Sequence, residues 1–312
     1  MTNSRLSYTR SGFLRRLMMA SNDSIFIIVE GKDLDRPFYD TAVGSSSKIE
    51  AAGYQIWLIE QIRDDQSQKA AGGKSAVLSF YEYCKKRNSL TVYSGSVKRV
   101  LAFCVDKDAD HISGGRKRSP HVIYTCCADV EAEIFMWGDE VRALGNALGI
   151  HRALSLALAG MLGDWRSELA QTWQEWIELC CLAKALRSRC SVGFGHRSTI
   201  NVNTFGALDA RSARNARQLV IARGLYNQSR SGIIEAVVAA RVKGQFSRGQ
   251  GKYLVKGKWY PGFLVWRISN MKGAAPMQLN GAEKYLAKAF LGTLDPAGPW
   301  VKHYHKKFEA LL

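Results

Sequence analysis

The sequence predicts an α/β fold in which a parallel sheet is followed by a mainly helical, basic domain. Three compact apolar runs are each suited to a buried parallel strand, at Ile25–Val29, 55–59 and 100–105. Stretches of helical character separate these runs, and strand–helix alternation is typical of a parallel sheet with right-handed crossovers. From Asp129 onward, helical segments dominate.

The elements of the first half follow in order along the chain. An opening amphipathic segment, with Phe13 and Leu17 among its apolar residues, predicts a short helix. After the first strand, a helix is expected from Asp35, with Pro37 in its opening turn. A second helix is expected over 75–86, and a fourth, shorter strand over 121–124.

The second half is expected to contain seven helices, at 129–136, 140–162, 164–186, 207–223, 233–242, 281–291 and 300–312. A loop rich in Gly, Ser and Asn over 188–206 divides them, and a brief strand is expected between the loops at 249–251 and 256–262. We therefore expect three segments: an N-terminal helical extension (1–23), an α/β metal-binding domain (24–138) and a mainly helical basic domain (139–312).

Bulk properties favour a cytoplasmic protein with a real hydrophobic core. Hydrophobic residues make up 46% of the 312 residues. The longest apolar run, 153–162, is far short of the ~20 residues needed to span a bilayer, so no membrane association is expected. No signal peptide is recognised. Seven cysteines without a C-x-x-C pair favour reduced thiols over a disulfide framework.

The positive charge is concentrated in one part of the chain. The net charge is +17, and residues 181–260 contain fifteen Lys and Arg against two acids, Asp209 and Glu235. Such a field attracts polyanions, of which nucleic acid is the commonest for this kind of protein. A solvated basic face that only keeps the protein soluble is the alternative.

Acidic residues follow two of the predicted strands. Glu30 comes directly after the first, and Asp106, Asp108 and Asp110 come directly after the third. Open α/β sheets place ligands at the carboxyl ends of their strands, so these carboxylates converge if the two strands are neighbours. Crowded carboxylates need a cation, and their hard oxygens select Mg²⁺ or Mn²⁺. The sequence therefore predicts a metal site suited to polarising a phosphate.

Two other metal or nucleotide motifs fail at specific positions. The Asp-x-Asp-x-Asp run resembles the start of an EF-hand loop, but His111 stands where the loop needs Gly and Lys117 where it needs Glu. The sequence 72–75 (Gly-Gly-Lys-Ser) resembles the end of a P-loop, but Gln68 replaces the earlier glycine. Neither calcium binding of the EF-hand type nor an ATP site is expected.

The segments Val29-Glu30-Gly31 and Val105-Asp106-Lys107-Asp108, each after an apolar strand, resemble the TOPRIM fold of topoisomerases, bacterial primases and overcoming-lysogenization-defect (OLD) nucleases. The resemblance implies a TOPRIM-like Rossmannoid parallel sheet. It also implies acid/base or metal chemistry for Glu30 and Mg²⁺ binding by Asp106 and Asp108.

Three further segments, Tyr124-Thr125, Asp129-Val130-Glu131 and Lys256-Gly257-Lys258, look like a narrower group of standalone TOPRIM-like proteins encoded beside an ABC-type ATPase. This group includes the effector nucleases of PARIS anti-phage systems. The resemblance implies cleavage of tRNA, restraint by the ATPase partner, a homodimer when released, and a charge-balancing role for Lys258 at the scissile phosphate.

Several residues have two possible roles. Asp110 either binds a second metal ion or is simply exposed, and Glu131 either joins the metal site or stabilises a helix N-terminus through the dipole. Asp33 either binds the metal ion or caps the helix that follows it, and capping is favoured. Gly73 and Lys74 either contact a phosphate or begin a helix.

Basic residues in the second half are candidates for nucleic-acid binding. Arg211, Arg214 and Arg217 are three apart, so they share one face of a helix and suit backbone phosphates. A docking surface for an acidic partner is the alternative. Lys252, Lys256 and Lys258 lie among the aromatic residues Tyr253, Trp259 and Tyr260, which either stack on unpaired bases or belong to the core.

The leading hypothesis is a Mg²⁺-dependent endonuclease that acts on nucleic acid, with RNA favoured. A DNA-nicking or DNA-cutting enzyme of the OLD type with the same metal chemistry is the first alternative. A non-catalytic module that binds an ATPase or nucleic acid is the second, and primer synthesis is a distant third. The sequence does not decide whether the basic half contacts RNA or a protein partner.

Overall fold

The computed structural model describes residues 7–19, 24–31, 33–66, 72–94, 97–194, 205–206, 208–271, 279 and 281–312. The chain divides into two compact units. Unit 1 comprises residues 1–106, 117–125 and 294–312, and unit 2 comprises 107–116 and 126–293. The units differ from the expected segments in two ways: residues 107–116 and 126–138 group with the helical unit, and residues 294–312 group with the N-terminal sheet.

The described residues form seven strands: β1 (Tyr8–Thr9), β2 (Ile25–Val29), β3 (Tyr54–Leu58), β4 (Ile62–Arg63), β5 (Thr91–Ser94), β6 (Val97–Val105) and β7 (Val122–Tyr124). The described helices are α1 (Arg10–Met19), α2 (Asp35–Gly44), α3 (Ser47–Ala52), α4 (Gly73–Lys86), α5 (Asp110–Ser113), α6 (Val130–Trp137), α7 (Glu140–Leu148), α8 (Arg152–Leu162), α9 (Trp165–Thr172), α10 (Gln174–Ala185), α11 (Ala210–Ala222), α12 (Gln228–Ser247), α13 (Tyr260–Ser269), α14 (Glu283–Leu291) and α15 (Val301–Glu309).

Unit 1 is built on a five-stranded, mostly parallel sheet with the order β3-β2-β6-β5 and with β7 also paired to β6. The central pair is parallel, with Ile25 opposite Val100 and Ile28 opposite Phe103. In addition to β2, the long strand β6 pairs with two further strands. It is antiparallel to β5 in its first part and parallel to β7 near its end. All five residues of β2 are buried, which explains why it reads as a continuous apolar run.

Helices cover both faces of this sheet. On one face Phe26 and Phe103 pack with Phe13 of α1 and Phe80 of α4 in one hydrophobic cluster. Alternate strand residues point to the opposite face, where the buried Cys104 lies beside Tyr39 of α2. The predicted class, an α/β fold with a parallel-dominated sheet, is confirmed at this level.

The C-terminal helix α15 contributes to unit 1 through aromatic packing. The ring of Phe38 lies 5.0 Å from Trp300 and 5.5 Å from Tyr304, between ring centroids. Ser46 donates a 2.8 Å hydrogen bond to Glu309, and Ser45 and His305 lie 2.9 Å apart. The end of the chain is therefore part of the sheet domain rather than of the helical one.

Unit 2 is helical in its described residues. Phe135 of α6 packs against Phe290 and Tyr260, and Trp165 packs edge-on to Tyr260. Seven of the twelve residues of helix α10 are buried, and the helix contacts α11 and α12. Trp259 and Tyr260 are fully buried core residues.

Several predicted boundaries in unit 2 are wrong, and each has a local cause. The helix expected over 140–162 is divided because Gly149 adopts a left-handed conformation (φ 64°) and caps α7. The helix expected over 164–186 is divided at Trp173, where the backbone leaves the helical region. The brief strand expected between the loops at 249–251 and 256–262 is replaced by two 3₁₀ turns, Gly251–Leu254 and Gly257–Trp259.

Among the described residues, no helix has the length and apolar character to cross a bilayer.

The aromatic packing of α15 on α2 gives a first testable prediction. Replacing the fully buried Phe38 with alanine removes contacts to Trp300 and Tyr304, so we expect a loss of about 3–5 kcal/mol in the free energy of unfolding. Lys302→Ala on the exposed side of α15 is the control and should change it by less than about 0.5 kcal/mol. Urea unfolding followed by circular dichroism measures both, and equal midpoints would contradict the packing role.

Candidate metal and nucleic-acid site

Glu30 and Asp106 lie together at the carboxyl edge of the sheet in unit 1. They directly follow β2 and β6, which are neighbouring parallel strands. The backbone N–H of Asp106 donates a 2.9 Å hydrogen bond to Oε1 of Glu30. At the start of α4, the ammonium of Lys74 donates to the backbone carbonyl oxygen of Asp106. The condition that the two acidic strands are neighbours is therefore met.

Asp33, expected to cap α2, does not do so. The residue before α2 is Leu34, which provides no side-chain hydrogen bond to the helix, and Asp33 is exposed. Instead Asp35, in the first turn, accepts a 2.8 Å hydrogen bond from the backbone N–H of Gly31. This contact fixes the turn that follows Glu30.

In unit 2, Asp108 and Asp110 form ion pairs with two lysines. Lys256 lies 2.5 Å from Oδ1 of Asp108, and Lys184 lies 3.3 Å from Oδ2 of the same carboxylate. Lys184 also lies 2.6 Å from Asp110, which is buried. Of the two roles considered for Asp110, a second metal ligand or a simply exposed residue, the second does not agree with its burial.

The backbone of Asp108 is held in an uncommon conformation. Its φ of 46° lies in the left-handed region, which a residue other than glycine adopts rarely and at some cost. Its N–H donates a 2.7 Å hydrogen bond to the carbonyl oxygen of Ala128, which maintains this conformation. Such strained positions cluster at functional sites, and this one positions a carboxylate.

Asp129 joins two segments that are 128 residues apart. As the N-cap of α6 it accepts a 2.8 Å hydrogen bond from the N–H of Ala132. The same oxygen accepts a 3.0 Å bond from the N–H of Gly257, and the other oxygen pairs with Lys256 at 3.2 Å. The two motifs containing Asp129 and Lys256 are therefore in direct contact.

Gly257 allows this contact because it has no side chain. A Cβ atom at this position would lie 2.2 Å from both the backbone nitrogen of Ala132 and Cβ of Glu131. These neighbours belong to the first turn of α6 and cannot move without displacing the helix. Glycine is thus required at 257 to place Lys256 against Asp129.

The loop before α6 is fixed from inside by Glu133. This fully buried carboxylate accepts hydrogen bonds from the N–H groups of Cys126 and Cys127 and from the indole of Trp137. Lys107 donates to the carbonyl oxygen of Cys126, and burial lowers the pKa of Lys107. Burial also raises the pKa of Cys126 to about 12, so this thiol stays protonated.

The carboxylates have the chemistry of a magnesium site. All the donors are hard oxygens, which Mg²⁺ prefers. However, within the part of the chain that the structure describes, no group of three or more His, Cys, Asp and Glu side chains is arranged to hold a metal ion. In unit 2 the three carboxylates of Asp108, Asp110 and Asp129 pair with only two ammonium groups, those of Lys184 and Lys256. The donor types therefore fit the ion, while lysines balance part of the charge.

The predicted site residues are distributed over both units. Glu30 and Asp106 belong to unit 1, whereas Asp108, Asp110, Glu131 and the two lysines of the Lys-Gly-Lys segment belong to unit 2. Glu131 is half-buried in the first turn of α6. Lys256 contacts Asp108 and Asp129, whereas Lys258, the lysine expected at the scissile phosphate, is exposed.

The basic residues expected to bind nucleic acid divide into two groups. Arg211 and Arg214 are exposed on α11, as their spacing predicts. Arg217 instead pairs with Glu178 at 2.8 Å and Glu235 at 2.6 Å, and so joins α10, α11 and α12.

Lys252 is also engaged within unit 2. Its ammonium lies 3.4 Å from Asp164, and its carbonyl oxygen accepts a hydrogen bond from the hydroxyl of Tyr260. Arg211, Arg214 and Lys258 are therefore the exposed members of the predicted set.

Lys184 is the site residue that sequence reasoning missed. It lies on α10, 76 residues after Asp108, so no local motif connects the two. One feature of the sequence could have indicated Lys184: it is the single charged residue in the apolar segment Leu-Cys-Cys-Leu-Ala-Lys-Ala-Leu, residues 179–186. A cation in such an apolar helix, with a side chain that is only 34% exposed, is favourably placed when it has a partner of opposite charge.

Substitution of Gly257 tests the joint between the two motifs. The added methyl group of Gly257→Ala would overlap α6, so we expect a loss of about 2–3 kcal/mol in the free energy of unfolding. Gly232→Ala on α12 is the control, because nothing lies within 4 Å of its Cβ position and alanine favours the helix. Chemical denaturation should separate them, and equal stability of the two variants would contradict the close approach.

Substitution of Lys256 tests the charge balance. Lys256→Ala leaves Asp108 and Asp129 without this partner, so we expect destabilisation by about 3 kcal/mol. Lys243→Ala on α12 is the control and should have an effect below about 0.5 kcal/mol, because Lys243 is exposed. Adding Asp108→Asn to Lys256→Ala should recover part of the loss in a double-mutant cycle. Additive effects would show that the two side chains are not coupled.

Comparisons with protein-family models, with curated proteins and with solved structures found no match in any of the three. The site is therefore interpreted from its own geometry and chemistry. The features that carry this interpretation are the Glu30–Asp106 contact in unit 1 and the network around Asp108 and Asp129 in unit 2.

Proposed function

We propose that the chain is a Mg²⁺-dependent TOPRIM-type endonuclease that cleaves nucleic acid, with tRNA the favoured substrate. In this proposal it is the toxic effector of an anti-phage system, an ABC-type ATPase partner restrains it, and it acts as a homodimer after release. The fold class that accompanies the proposal is the TOPRIM variant of the α/β sheet described above.

The observation that carries the proposal is the contact between Glu30 and Asp106. The two residues follow neighbouring parallel strands, and the backbone N–H of Asp106 donates a 2.9 Å hydrogen bond to the carboxylate of Glu30. The carboxyl edge of an open α/β sheet is where ligands bind in this fold class. Because β2 and β6 place two acidic residues at this edge, we favour metal-assisted chemistry on a phosphate over a purely structural role for them.

The residues have distinct parts in the proposed reaction. A bound divalent ion, held by Glu30, Asp106 and Asp108, would polarise the phosphate and lower the pKa of a bound water. The hydrogen bond from Asp106 orients the carboxylate of Glu30, which suits it to accept a proton from the attacking water. Lys256, beside Asp108, supplies positive charge suited to a phosphate oxygen.

The substrate class is supported by the distribution of charge. Residues 181–260 carry fifteen basic residues and two acids, and the exposed Arg211 and Arg214 lie on one helix. Guanidinium groups on a shared helix face suit the phosphates of a nucleic-acid backbone. Binding should therefore weaken as salt increases.

Cleavage assays with matched variants test the proposed chemistry. We expect the protein to cleave total tRNA in the presence of Mg²⁺ or Mn²⁺, and EDTA to abolish the reaction. Glu30→Gln and Asp106→Asn should each lower the rate at least about 100-fold, more than the 10–100-fold effect typical of residues behind a metal ligand. Glu175→Gln, an exposed acid on α10, is the charge-matched control and should keep full activity.

The outcomes distinguish the alternatives. Cleavage of plasmid DNA but not of tRNA would identify the DNA-nuclease alternative with the same metal chemistry. Full activity of both acid variants would rule out this site as the catalytic centre. No cleavage, together with no Mg²⁺ or Mn²⁺ binding by calorimetry, would favour a non-catalytic binding module. That second function has one specific observation in its favour, the neutralisation of Asp108 and Asp129 by Lys256.

A further inference from the structure

Unit 1 contains a cavity of about 440 Å³ that lies away from the acidic site. Helix α1, the C-terminal end of α4 and strand β5 form its walls. Thr91 of β5 pairs with Val100, near the start of β6, whereas Asp106 follows the other end of that strand. The cavity is within the roughly 300–1,000 Å³ range of small-molecule sites.

The cavity has an aromatic and apolar lining. Leu14 and Val92 contribute aliphatic surface, and Tyr83 and Tyr93 contribute two aromatic rings. Tyr93 is 69% exposed, which is unusual for a large aromatic side chain on a strand. An exposed ring beside a cavity is available to stack on a planar ligand.

Two arginines provide positive charge in the same cavity. The guanidinium carbon of Arg87 lies over the Tyr83 ring, 3.9 Å from its centroid, in a cation–π contact. Arg15, on α1, is exposed and also lines the cavity. The lining includes no acidic side chain among the described residues. Guanidinium groups in an apolar, aromatic setting suit a phosphate group.

Tyr83 is itself held in place by contacts outside the cavity. Its hydroxyl lies 2.5 Å from Asp65, which also accepts a 2.9 Å hydrogen bond from the N–H of Ser11. Burial, together with the hydrogen bond to Asp65, raises the pKa of Tyr83 to about 12, so it remains a neutral donor. The platform under Arg87 is therefore fixed before any ligand arrives, which reduces the entropy lost on binding.

We propose that this cavity binds a nucleotide unit, with the phosphate on Arg15 and Arg87 and the base against Tyr93. Asn88, Ser89 and Thr91 add hydrogen-bonding groups that suit the sugar and base edges. The nucleotide is either a free mononucleotide or one residue of a single strand, since both present the same ring and phosphate. The proposal is independent of the nuclease activity, because it uses none of the acidic residues.

Calorimetric titration of the full chain in EDTA tests the site without any cleavage. The probes are adenosine monophosphate, adenosine, inorganic phosphate and a hexaadenylate strand. Adenosine monophosphate should bind at least 10-fold more tightly than adenosine or inorganic phosphate, because only the nucleotide engages both the ring and the arginines. Tighter binding of hexaadenylate than of the mononucleotide would identify a strand site, and the reverse order would identify a free-nucleotide site.

Matched variants locate the binding. Arg15→Ala combined with Arg87→Ala should weaken adenosine monophosphate at least 10-fold, and Tyr93→Ala at least 5-fold. The controls are Arg152→Ala on α8 and Tyr285→Ala on α14, whose side chains are exposed outside the cavity, and they should bind normally. Thermal melting checks that each variant is folded, and Arg15→Ala alone replaces the double variant should it unfold.

Three results would overturn the proposal: no binding of adenosine monophosphate at millimolar concentration, equal binding of nucleotide and inorganic phosphate, or equal binding by the cavity and control variants. None of these results affects the acidic site, whose variants are assayed by cleavage. Conversely, inactive Glu30 and Asp106 variants that bind the nucleotide normally would leave the cavity proposal intact.

Discussion

The parallel pairing of β2 with β6 is the constraint on which the candidate site depends. Strand direction and register determine where each strand ends, and here both ends carry a carboxylate residue. A shift of the pairing by one residue would turn every side chain of β2 to the opposite face of the sheet. Because all five residues of β2 are buried, an alternation of apolar and polar side chains does not determine its register. The helices on the two faces do so instead: Phe26 packs on Phe13 on one face, and Cys104 of β6 lies beside Tyr39 on the other. The core thus positions the acidic edge.

In unit 2 the equivalent constraint is the side chain of Asp129. It caps α6, accepts a hydrogen bond from Gly257 and pairs with Lys256, so one carboxylate links a helix N-terminus, a turn and a cation. The helix dipole favours a negative charge at that position. Because Lys256 also contacts Asp108, the strained backbone at φ 46° is tied into the same network. Local strain there is offset by contacts that come from distant parts of the chain.

The sequence predicted those features that depend on local pattern. The buried strands, the positions of Glu30 and Asp106 at strand ends, and the shared helix face of Arg211 and Arg214 follow from apolar runs and spacing. The sequence left open whether β2 and β6 are neighbours, and the structure meets that condition. Features set by distant partners were not predictable. Arg217 has the same spacing as its neighbours but meets two glutamates. Lys184 belongs to the network although its partners Asp108 and Asp110 lie far from it in sequence. Strand β5 and the packing of α15 on unit 1 likewise depend on partners far along the chain.

The shared lysines have a consequence for ligand binding under the proposed function. Lys184 and Lys256 are divided among Asp108, Asp110 and Asp129, so no carboxylate has a lysine to itself. An entering phosphate would compete with the carboxylates for the ammonium groups, whereas a divalent cation would compete with the ammonium groups for the carboxylates. Either exchange alone leaves a poorly hydrated charge without its partner, at a cost of several kcal/mol. Both exchanges together leave every charge paired. The network therefore favours binding of cation and phosphate together over binding of either one alone.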